Sequence, residues 1–71
     1  MNLLNLISNI EVRAMVADNP IALNSARTAY QLACERLRCL GAGEVAKAAG
    51  KRAVCFRNLR RAVALLEKEA A

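Results

Sequence analysis

Three stretches of the chain place apolar residues at the three- and four-residue steps of an amphipathic α-helix. The first runs over residues 3–17, with Asn2 as a capping residue. Val12 and Val16 fall opposite its apolar face, so either this helix is contacted from two directions or both valines are exposed singly. The predicted core face consists of Leu3, Leu6, Ile7, Ile10, Ala14 and Ala17.

The second helix is predicted over residues 20–40, because Pro20 suits the first helical position and pushes Asn19 toward the extended conformation of an N-cap. Gly41 is suited to a left-handed C-cap, and the connector Gly41-Ala42-Gly43 has the length that makes successive helices antiparallel neighbours. The apolar seam of this helix follows the 3, 4, 3, 4, 3 spacing of a heptad repeat and consists of Leu23, Ala26, Tyr30, Ala33, Leu37 and Leu40.

The third helix is predicted over residues 44–68, with Glu44 well placed at its N-terminus. Folding it back on the second helix sets large residues against small ones at several levels, for example Leu37 against Ala48 and Ala49. Arg52 faces Ala33, and we expect its guanidinium at the edge of the seam. The predicted seam is Val45, Ala49, Phe56, Leu59, Val63 and Leu66, flanked by Ala48, Cys55 and Ala62.

These patterns predict one all-α domain over residues 1–71, in which a short N-terminal helix joins a long, antiparallel, coiled-coil-like helical hairpin. The apolar residues are mostly Ala, Leu and Val, with one Tyr, one Phe and no Trp, which favours closely packed helices over sheets. A chain of 71 residues buries a small core, so we expect a second copy to stabilise it as a homodimer.

Composition argues against an enzyme, a cofactor and a metal site. The chain has no histidine, its three cysteines lack CxxC spacing, and its acidic residues do not converge on one face. No glycine-rich phosphate loop is present either. The unpaired cysteines, the lack of a leader pattern and the lack of a long apolar run predict a cytoplasmic protein without a membrane span.

Positive charge is concentrated on the third helix, where residues 47–61 contain six basic residues and no acidic one. Solvent-exposed helical faces normally interleave acids at four-residue spacing, so this run suggests an acidic partner. Most of the charge falls on one outer face, which we call the outer basic stripe and which consists of Lys47, Lys51, Arg57, Asn58, Arg61 and Lys68.

Two functions compete for the outer basic stripe. The first is a small non-enzymatic protein that binds and modulates or inhibits a larger protein with an acidic surface, in the manner of a phage or mobile-element regulator. The second is a DNA-binding transcriptional regulator, because residues 42–61 partly match a helix-turn-helix with Gly50 at the turn. Lys51 stands where that motif has an apolar residue, and the apolar phase continues through Gly50. We therefore favour the protein partner and keep nucleic acid as the alternative.

Overall fold

The computed structural model describes the backbone of residues 2–41 and 43–70 and the side chains of residues 2–39 and 43–68. Three helices occupy these residues: α1 spans Leu3–Val16, α2 spans Pro20–Gly41 and α3 spans Val45–Ala70. No strand occurs in the described ranges, so the predicted all-α class is confirmed. The expected connector residue Ala42 and the side chain of Leu40 lie outside the described part of the chain.

Side-chain caps start the first two helices where the sequence places them. The Asn2 side-chain oxygen Oδ1 accepts a hydrogen bond from the Leu4 amide at 2.8 Å. Asn19 is buried, and its Oδ1 accepts from the Ala22 amide at 3.1 Å, directly before Pro20. Each cap satisfies a donor that the first helical turn leaves without an intrahelical partner. Local chemistry therefore determines where α1 and α2 begin.

The turn between α2 and α3 differs from the expected one. α2 continues through Gly41, and the described glycine with a left-handed backbone is Gly43, at φ 74°. The Glu44 amide donates to the Cys39 carbonyl oxygen at 3.1 Å, and the Ala48 amide donates to the Glu44 carbonyl oxygen at 3.0 Å. The expected C-cap at Gly41 is thus wrong, because the positive φ that only glycine adopts without strain falls two residues later.

Alanine dominates the core, which lies between α2 and its two neighbours. α2 packs most extensively on α3, less on α1, and α1 meets α3 at few positions. Ile7 and Cys55 are the largest fully buried side chains. Four alanines at three- and four-residue steps line the buried face of α2, so its neighbours can approach closely; these are Ala22, Ala26, Ala29 and Ala33. The molecule measures 43 × 19 × 16 Å.

The buried faces of α2 and α3 are rotated by roughly 60 to 70° from the predicted seams, given about 100° per residue. On α2, Leu37 is 52% exposed, whereas Ala22 and Ala29 are fully buried. On α3, Val45 is 69% exposed, whereas the predicted flanking residues Ala48, Cys55 and Ala62 are buried. A strict heptad seam assumes two helices, but α2 packs on two partners and uses a wider, small-residue face.

The predicted core of α1 is confirmed at Ile7, Ile10 and Ala14. It is wrong at Leu6, which is 38% exposed, and at Ala17, which is exposed beyond the end of the helix. Val12 and Val16 are 53% and 84% exposed, opposite the buried face. α1 therefore covers α2 with one row of side chains and leaves a second apolar row uncovered within the chain.

Candidate partner-binding surfaces on the third helix

The orientation of α3 follows from its buried row, which is anchored at Cys55. The Cys55 thiol is fully buried, and its Sγ donates a hydrogen bond to the Ala29 carbonyl oxygen at 3.2 Å. Burial raises the pKa of this thiol, so it holds its proton and is a poor nucleophile at neutral pH. The same row continues at Leu59, Ala62 and Leu66, so the opposite side of α3 faces solvent.

Half of the outer basic stripe is engaged within the chain. Lys51 Nζ lies 2.9 Å from Glu35 Oε2 on α2, and its side chain is only 33% exposed. Asn58 is half-buried, and its Nδ2 donates to the Val54 carbonyl oxygen at 2.9 Å. Lys47 is exposed, and its Nζ lies 3.4 Å from Glu44 Oε1. The two lysine charges and the Asn58 amide therefore already make contacts within the chain, which leaves them less available to a partner.

The Glu35 and Lys51 side chains stabilise each other's charged forms. The hydrogen bond from Lys51 holds the pKa of Glu35 below its ordinary value, with the positive charge of Lys51 as the next cause. The Glu35 carboxylate in turn raises the pKa of Lys51. A pair that joins α2 to α3 in this way serves the fold, so Lys51 is poorly suited to the partner contact that the sequence assigned to it.

The remaining members of the stripe are available to a partner. Arg57, Arg61 and Lys68 are exposed on the side of α3 opposite its buried row. Two ion pairs form among the described side chains, and none of these three residues belongs to either. The candidate surface therefore narrows from six residues to a row of three cations about 17 Å long, at 1.5 Å of rise per residue.

A second basic surface lies about a quarter turn around α3 from its buried row, and we call it the arginine groove. Its lining consists of Ala49, Arg52, Ala53, Phe56 and Arg60. The Arg52 guanidinium carbon lies 5.6 Å from the centroid of the Phe56 ring, a cation–π arrangement. Arg60 Nε donates to the Phe56 carbonyl oxygen at 3.4 Å. Arg52 and Arg60 thus flank a half-buried phenyl ring.

Sequence reasoning missed the groove because it placed Ala49 and Phe56 at the centre of the α3 seam. The rotation of α3 moves this row to the edge of the core, where Ala49 is exposed and Phe56 is half-buried. One signal pointed there: arginine at positions 52 and 60 interrupts an otherwise apolar row. Cations repeated on a seam indicate that the seam is not fully covered.

The described residues contain neither a metal-binding cluster nor a membrane-spanning helix. No three of their His, Cys, Asp and Glu side chains lie close enough together to hold a metal ion. None of α1, α2 and α3 combines the length and apolar character needed to span a bilayer. Cys34 is half-buried and Cys39 is buried, and both are free thiols, as is Cys55.

α3 runs unbroken through Gly50, and this bears on the hypothesis that residues 42–61 form a helix-turn-helix. The helix extends from Val45 to Ala70, so no turn separates two helices within its length. Gly50 has no positive φ, and a Cβ built on it meets nothing within 4 Å. The geometry that a helix-turn-helix requires at Gly50 is therefore not present in α3.

Comparisons with known proteins give no further guide to the function of these surfaces. No protein-family model matches the chain, and no curated protein or solved structure matches it either.

Proposed function

We propose that this chain is a small non-enzymatic helical protein that binds a larger protein and modulates or inhibits it through the outer basic stripe of α3. The observation that carries the proposal is the exposed row of Arg57, Arg61 and Lys68, which takes no part in the ion pairs of the described side chains. Exposed cations on one face of a helix attract an acidic surface.

Residue type supports a protein partner. Arginine makes bidentate contacts with carboxylates and is enriched among the residues that dominate binding energy at protein interfaces. Base reading by contrast needs a helix set into a DNA groove or aromatic rings free to stack. Phe56, the only phenylalanine, packs against the core, and Arg52 covers its ring. Nucleic acid would meet this helix chiefly through phosphate contacts.

We further propose that α2 and α3 form an antiparallel helical hairpin that acts as the rigid support for the stripe. Two contacts favour this arrangement, because residue numbers rise along α3 as they fall along α2. Lys51 contacts Glu35, and Cys55 contacts Ala29. An antiparallel pair would hold the outer face of α3 straight over its whole length, which suits recognition of a flat or shallow partner surface.

The active form proposed is a homodimer. It is favoured by large apolar side chains left uncovered near the α1–α2 turn, where Val16 is 84%, Ile21 55% and Met15 52% exposed. Burying such a patch in a second copy would add the core that a short chain lacks. Light scattering over a micromolar concentration range should give twice the monomer mass, and a mass of one chain throughout would refute the dimer.

The function is tested by affinity capture from the native cell with the wild-type chain and an Arg57→Glu/Arg61→Glu variant. The expected result is a protein retained by the wild type and lost with the variant, whose helicity by circular dichroism is unchanged. Retention by both chains would refute a role for the stripe. A salt titration with random duplex DNA tests the alternative, since tight binding that falls steeply with salt would favour nucleic acid.

A further inference from the structure

We propose that the arginine groove binds an acidic amphipathic helix of a partner protein. The groove is separate from the outer basic stripe, since the two have no residue in common. The inference rests on the proposed function in one respect, namely that the partner is a protein. It adds the chemistry and the spacing that the partner should have.

The groove continues along α3 toward its N-terminus. A neighbouring depression shares Ala49 and Arg52 with it and adds Arg36, Val45 and Ala48. Val45 is 69% exposed at this end, and Arg60 closes the other end. From Val45 to Arg60 the surface is about 22 Å long at 1.5 Å per residue, which is room for about four turns of a second helix.

Its floor suits the apolar side of a helix. Ala49 and Ala53 are four residues apart, so they lie one above the other and present little bulk. Small residues allow helix axes to approach closely, and the half-buried Phe56 ring supplies apolar area beside them. Leucine-like side chains three or four residues apart on the partner would reach these positions.

Charge at the rim selects an acidic partner. Three arginines line the combined groove, and none of the lining residues is acidic. Arg52 and Arg60 are eight residues apart, about 12 Å along the axis. Carboxylates seven or eight residues apart on the partner helix would match them, since those positions are separated by about 10 to 12 Å. The fit calls for an acidic residue, apolar residues three or four positions later, and a second acidic residue.

A second copy of the chain fits this requirement less well. Glu11 and Asp18 are seven residues apart and flank the exposed Val12 and Met15. However, α1 ends at Val16, and Asp18 has a left-handed backbone with φ 53°. The two carboxylates therefore do not share one helical face, as the spacing of the two arginines requires.

The test is a selection of 18-residue helical peptides from a phage-displayed library on the immobilised 71-residue chain. We expect enrichment of peptides with two acidic residues seven or eight positions apart and apolar residues between them. In fluorescence anisotropy, an Arg52→Glu/Arg60→Glu variant should weaken binding of the best peptide by tenfold or more, because two attractive pairs become repulsive. The matched control is Arg27→Glu/Arg38→Glu, at two exposed arginines of α2 that belong to neither basic surface of α3. It lowers the formal charge of +5 by the same four units and should change binding less than threefold.

Several outcomes would overturn the inference. One is a lack of enrichment, and another is equal weakening by both variants, which would indicate general electrostatic attraction. Occupation of the groove by a second copy would appear as a wild-type dimer that Arg52→Glu/Arg60→Glu converts to monomers. Displacement of the peptide by random duplex DNA at physiological salt would favour nucleic acid. The groove variant tests this inference and the stripe variant tests the proposed function, so the two can fail separately.

Discussion

Gly50→Ala is the substitution that best tests the continuity of α3. Gly50 lies inside a 26-residue helix, has no positive φ, and has open space where a Cβ would be added. Glycine in a helix interior costs about 1 kcal/mol relative to alanine, because it loses more backbone entropy on folding. Alanine should therefore stabilise the chain by about 1 kcal/mol, which for a domain of this size raises the melting temperature by about 4 to 8 °C.

A matched substitution at Gly43 should have the opposite sign. Gly43 also has no atom within 4 Å of a built Cβ, but its φ is 74°. An alanine there should cost about 1 to 2 kcal/mol, because L-residues are strained in this conformation. Thermal unfolding followed by circular dichroism at 222 nm measures both changes. If Gly50→Ala lowers the melting temperature, either the chain turns at Gly50 or a second chain packs there, and the continuous exposed helix is refuted.

Three further predictions concern the core, a cap and a buried thiol. Ile7→Ala should cost about 2 to 5 kcal/mol in urea denaturation, since Ile7 is fully buried, whereas a cost under 1 kcal/mol would mean that α1 is not docked. Asn19→Ala should cost about 1 kcal/mol and Asn19→Ser much less, and equal costs would contradict the observed cap. The pKa of the Cys55 thiol is raised in the folded chain, so stability should be full below the ordinary thiol pKa of about 8.5 and decline above it; an equal decline in Cys55→Ala would rule this out.

Local signals in the sequence were sufficient to predict the three helices. Asn2 and the Asn19-Pro20 pair act through backbone groups two or three residues away, so a single chain suffices to predict them. The apolar period of each stretch likewise reports helix formation directly. The class of the fold and the positions of the helices followed from these short-range rules.

The orientation of each helix depended on contacts that no local pattern contains. Alanine occurs on both sides of these helices, buried at Ala22 and Ala29 and exposed at Ala49 and Ala53, so its presence gave no signal of which side faces the core. The contact of Lys51 with Glu35 spans 16 residues and two helices. Without such long-range contacts, Lys51 was assigned to the outer basic stripe, and Ala49 and Phe56 of the arginine groove were assigned to the core.

An alanine-rich core and an exposed apolar groove are two consequences of the same packing. Because small residues fill the space between α2 and its neighbours, larger ones such as Leu37 and Val45 remain more than half exposed, and Phe56 is only partly covered. Such a core stabilises a short chain weakly, so a ligand that covers the groove should change the measured stability appreciably. A helical peptide at a free concentration of 100 times its dissociation constant would add about 2.7 kcal/mol to the free energy of unfolding. Stabilisation by an acidic amphipathic peptide, lost in Arg52→Glu/Arg60→Glu, would therefore link the composition of the core to the function of the surface.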